Sequence, residues 1–109
     1  MNERDKSLIL DFKRGISHEI SQHIRRLIVF GSRVEGKAKE DSDLDLLALV
    51  DEKTPEIEKE LEDIAYQVMW DYDFKPIISL KVFEESCFYN ALKKGFSFYQ
   101  YVEKEGVPI

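Results

Sequence analysis

The sequence predicts an α/β domain in which a small sheet of about four strands is flanked by helices. Strand-length apolar runs occur at residues 27–30, 43–50 and 75–82, the second opening with two aspartates. Between and before them, apolar residues recur at steps of three and four over 7–23 and 57–72, as on one face of a helix. Elements of the two periods take turns along the chain, so helices must pack on a sheet. At 109 residues the chain is expected to form one domain over 1–109, too short for a catalytic domain plus a separate substrate domain.

Taken in order, residues 7–23 carry Ile9, Phe12, Ile16 and Ile20, with Ile24 just beyond, on one amphipathic stripe that Gly15 bends or splits. His18 and His23 are five apart, do not share a helical face and read as surface or partner-facing residues. Leu27 to Phe30 suit a buried strand ended by Gly31, and a polar loop then runs to Ser42. After the second strand, Thr54 caps a helix whose first turn holds Pro55. Ile57, Leu61, Ile64, Ala65, Val68 and Tyr72 form its buried stripe, while Met69 and Trp70 either extend the core or mark a contact surface. A third strand is expected over 75–82, with Pro76 favouring an edge or a strand start. Residues 83–94 read as a short helix capped by Ser86 and ended by Gly95. Alternation in Phe-Ser-Phe-Tyr-Gln-Tyr-Val predicts a last strand over 96–102, with Tyr99 and Tyr101 as core, edge cover or partner surface, and 103–109 reads as a frayed tail.

Composition narrows the partners. A net charge of −6 argues against sequence-independent binding to long nucleic acid, which needs many lysine and arginine contacts to phosphates. Arg25-Arg26 and Lys93-Lys94 read as solvated faces. No apolar run approaches a membrane span and the first residues lack a signal-peptide layout, so a cytoplasmic location is expected. Cys87 stands alone, without a zinc spacing, and reads as a small buried apolar residue.

Chemistry concentrates in Leu27 to Val50. Asp43 and Asp45 are two apart on a predicted strand and share one face, about 6.5 to 7 Å between α-carbons. Such a pair suits Mg²⁺, a hard ion held by one or two carboxylates together with substrate phosphates. Gly31 directly after a strand lets the backbone approach a ligand closely, and Ser32 adds a hydroxyl donor, so Gly31-Ser32 is the expected phosphate side.

Gly31-Ser32, ten residues, then Asp43-Leu44-Asp45 resembles the nucleotidyltransferase superfamily typified by DNA polymerase beta. Gly31-Ser32-Arg33, Gly36 and Ser42-Asp43-Leu44-Asp45-Leu46 resemble its smallest branch, the minimal nucleotidyltransferase (MNT) domain, over about residues 20–102. The resemblance implies a mixed sheet and transfer of a nucleoside monophosphate, AMP from ATP, to a hydroxyl. It implies two Mg²⁺ ions on Asp43 and Asp45, and nucleotide binding by Gly31, Ser32, Arg33 and Ser42, with Arg33 neutralising the leaving pyrophosphate. Active members add a third carboxylate on the strand beside the Asp-x-Asp strand. Here Lys75, Ile77, Ile78 and Ser79 fill the middle of that strand, and Asp73 is the candidate if the strand begins early.

The same resemblance implies a separately encoded helical partner, a HEPN-type ribonuclease toxin, to which the MNT protein is antitoxin. Two functions then compete: an enzyme that adds AMP to the partner, and a catalytically weak or inactive protein that neutralises it by binding. Transfer to a small molecule ranks below both, and homo-oligomerisation stays open.

Overall fold

A computed structural model describes residues 1–39 and 41–109; Glu40, inside the predicted glycine-to-aspartate loop, lies outside the described residues. The first helix, α1 (Glu3–Gly15), starts earlier than its apolar stripe because Asn2 caps it, its side chain accepting the Asp5 N–H at 2.7 Å. The predicted long helix is split after Gly15. A Cβ on Gly15 would stand 2.9 Å from Cγ2 of Ile64, so glycine lets α1 close on a later helix. Ser17 then caps a single turn, α2 (His18–Ser21).

The sheet follows as β1 (Ile24–Phe30) and β2 (Leu44–Val50), separated by the short α3 (Ser32–Glu35) and the loop. Next come α4 (Pro55–Asp71), with Thr54 as its cap and Pro55 in its first turn, and β3 (Ile78–Glu84). Two helices, α5 (Glu85–Lys93) and α6 (Ser97–Glu105), and a two-residue strand β4 (Val107–Pro108) complete the chain. The strand order is β3-β2-β1-β4, with β2 and β3 parallel and the other pairs antiparallel. The predicted mixed sheet of about four strands, flanked by helices in the manner of a polymerase beta-like fold, is the one observed.

Period-two alternation sorts the strand residues onto two faces. Leu27, Val29, Leu44, Leu46, Ala48 and Val50 pack against α1, α2 and α4, with Leu8, Phe12, Leu61 and Val68 among their partners. Ile28, Phe30, Leu47 and Leu49 face Phe88 of α5 and Val102 of α6. This double burial explains why β2 is apolar at nearly every position.

Four expectations are corrected. Residues 96–102 do not form a strand but belong largely to α6: Phe98, Tyr101 and Val102, spaced as i, i+3 and i+4, turn toward the sheet, and helical period wins over aromatic strand preference. The tail is not frayed, because Val107 and Pro108 pair with Val29 and Ile28, and the Ile109 N–H reaches the Leu27 carbonyl at 3.0 Å. Cys87 is exposed on α5 rather than buried. Ser86 lies inside α5, whose cap position is Glu84. Trp70 resolves toward the surface, 62% exposed.

Candidate active site at the end of the sheet

The C-terminal end of β1 and the N-terminal ends of β2 and β3 meet at one edge of the molecule, since β1 runs against the other two. Gly31 makes the turn there with φ 88° and ψ −166°, a backbone region that is nearly glycine-only. A Cβ on Gly31 would strike Oδ2 of Asp45, so the missing side chain is also the space the carboxylate uses. Ser32 follows as the first residue of α3.

In register, Asp45 sits between Phe30 of β1 and Ser79 of β3. Burial pushes its carboxyl above the usual range; the Asp43 charge adds to the rise, and the Lys81 ammonium works against it. Asp43 is therefore close enough for Asp45 to feel its charge, although β2 begins at Leu44 and Asp43 lies just before the strand rather than on it as expected. These are the residues that could hold a divalent cation, and two carboxylates fit an Mg²⁺ that completes its shell with water and phosphate oxygens. No cluster of three or more His, Cys, Asp or Glu suited to a metal occurs among the described residues. The donors present thus fit an ion shared with substrate better than a closed protein cage.

The other candidates have partners of their own. Arg33 is buried and turned toward α1, with Nη1 3.2 Å from Oδ2 of Asp5 and Nε donating to the Ser42 carbonyl at 2.8 Å. Ser42 closes the loop locally, its hydroxyl accepting from the Lys39 N–H and its own N–H donating to the Lys39 carbonyl, both at 3.0 Å. Asp73 lies exposed in the turn after α4 with φ 57°, and Phe74 follows with φ 55°. Four residues separate Asp73 from the start of β3, so the early strand start its catalytic role required is not found.

Three residues at the mouth were not assigned to the site by sequence. Lys81 and Ser79 reach the Asp45 face through strand alternation. Tyr101 comes from α6, its ring edge-on to Phe30 with centroids 6.4 Å apart. Burial raises the Tyr101 phenol, the Glu35 and Asp45 charges add to the rise, and the Gly31 backbone opposes it. Reading 96–102 as a helix would have placed Tyr101 on the buried side. A cavity of about 550 Å³ opens between Lys39 and Asp41 on one side and Phe74, Lys75, Pro76 and Ile77 on the other. It adjoins the site through the Leu44 N–H, which donates to the Ile77 carbonyl at 2.8 Å.

Residues 11–105 match the family described as the nucleotidyltransferase domain. The chain belongs to this family. As a nucleotidyltransferase it is 37% identical over 82 residues to MJ0141 of Methanocaldococcus jannaschii, a protein named as a candidate protein adenylyltransferase, covering 72% of this chain and 83% of that one. A crystal structure of a toxin-antitoxin with AMP-PNP has the same fold, with a TM-score of 0.54 and 16% identity over 94% of this nucleotidyltransferase and 69% of its counterpart. No helix among the described residues is long and apolar enough to cross a membrane.

Proposed function

We propose that this nucleotidyltransferase moves AMP from ATP to a hydroxyl of a partner protein, and that the partner is a helical toxin of the HEPN type to which it serves as antitoxin in the cytoplasm. The observation that carries the proposal is Asp45 at the mouth of β2, near enough to Asp43 to feel its charge, with the side-chain-free Gly31 packed on it. Similarity to a protein named as an adenylyltransferase supports the protein acceptor, and the toxin-antitoxin of the same fold supports the kind of partner.

In this scheme Gly31 and Ser32 hold the β- and γ-phosphates, and Asp43 and Asp45 hold Mg²⁺. The ion, when bound, neutralises phosphate charge as the leaving group departs. A bond forms between the acceptor oxygen and the α-phosphorus while the bond to the bridging oxygen breaks. Pyrophosphate leaves and the acceptor proton passes to solvent. Arg33 and Ser42 brace the loop in front of Asp43, and the catalytic set does not include Asp73.

One observation favours a second role. Ser79, not an acid, stands beside Asp45 on β3, which fits a weak enzyme that neutralises its partner by binding. Intact mass of the protein encoded beside this one, after incubation with Mg²⁺ and ATP, separates the two. A gain of AMP masses that Asp43→Asn abolishes supports the enzyme. A stable complex with no gain overturns transfer and leaves the binding role.

A further inference from the structure

The site has an acceptor side, and a lysine stands on it. Sheet order places β2 between β1 and β3, so Gly31-Ser32 and β3 lie on opposite sides of Asp45. In-line transfer puts the attacking and leaving oxygens on opposite sides of the phosphorus. With pyrophosphate at Gly31-Ser32, the acceptor oxygen approaches over β3. On the Asp45 face that strand presents Ser79, opposite Asp45, and Lys81, opposite Leu47. Lys81 is half-buried and its charge acts on Asp45. An ion on this side would need acidic ligands and would face an ammonium instead.

We propose that Lys81 is a catalytic residue that contacts the acceptor oxygen and the α-phosphoryl group, supplying the positive charge that a second Mg²⁺ would bring, so that the site works with one ion. It rests on the transferase assignment above. Lys81 keeps its own proton throughout; the acceptor proton still leaves to solvent, and bonds form and break as in the scheme already given. Ser79 leaves room beside Asp45 for the lysine chain to reach forward.

The test counts ions and measures rates separately. Mn²⁺ bound in the presence of the α,β-methylene analogue of ATP, which cannot release pyrophosphate, is counted by electron paramagnetic resonance. One ion per protein is expected, and two would overturn the proposal. Installing a third acid while removing the ammonium, in Ser79→Asp with Lys81→Met, should admit a second ion. Lys81→Met alone should leave affinity for the analogue within about threefold and lower AMP transfer by about 100-fold, comparable to losing one oxyanion donor. Lys81→Arg should restore most of the rate. Transfer by Lys81→Met at the wild-type rate overturns the catalytic role. A wild-type protein that modifies no acceptor overturns the transferase assignment and the acceptor-side role with it, while the ion count still decides whether one or two ions bind.

Discussion

Two acidic regions flank the same loop and could hardly be treated more differently by the fold. Asp5 on α1 is 2% exposed and paired with Arg33, which also donates to the Ser42 carbonyl. One residue beyond Ser42, Asp43 and then Asp45 open toward the sheet's end, with burial and mutual repulsion lifting the Asp45 carboxyl. The first acid is neutralised inside the protein; the second pair keeps unspent negative charge for something that binds. Charge left uncompensated at a cleft is what marks a functional acid, whereas a buried paired acid marks a structural one.

Breaking the structural pair should produce the largest stability effect. Asp5→Ala removes the carboxylate that Arg33 meets inside the protein, and urea denaturation should show a loss of about 3 kcal/mol. A loss below about 1 kcal/mol would mean that α1 does not brace the loop in this way. Gly31→Ala comes next. It forces an alanine into a glycine-only conformation and its Cβ onto Asp45, so a loss of about 1 to 3 kcal/mol is expected, with weaker nucleotide binding by calorimetry.

Asp45→Asn should invert the pattern. Stability should stay level or rise by no more than about 1 kcal/mol, while AMP transfer collapses. Its pH dependence sharpens the contrast. Because the folded Asp45 holds its proton to higher pH than the unfolded chain, its contribution to stability falls as pH rises from about 4 through the raised value, then levels off. In Asp45→Asn, denaturation midpoints should lose that component. The smallest effect is expected from Tyr101→Phe, which keeps the ring on Phe30 and removes only the hydroxyl: about 0.5 to 1.5 kcal/mol in stability, read from thermal unfolding.

Much of this contrast was legible in the sequence, and the rest was hidden for identifiable reasons. Leu-Asp-Leu-Leu-Ala-Leu-Val declares the strand that forms, one residue later than expected so that Asp43 precedes it, and α4 announces itself through its threonine, proline and apolar stripe. The direction of Arg33 was not legible, because it is set by Asp5, 28 residues upstream, and local spacing says nothing of such a partner. Likewise Lys81 became visible only once the β2–β3 register put it on the Asp45 face. The run 96–102 satisfies both periods, so only packing against Phe30, Phe83 and Phe88 decides it in favour of a helix. As for β4, two residues are too few to carry any period.

That short strand has a consequence for how the sheet can grow. With Val107 and Pro108 laid along its last residues, the strand that delivers Gly31 has a neighbour on each side where it approaches the glycine turn. Trimming the last three residues would bare backbone groups of Leu27 to Val29 and make that border of the sheet more adhesive. A purification tag fused to Ile109 would likewise hang from the border of the strand that leads into the glycine turn.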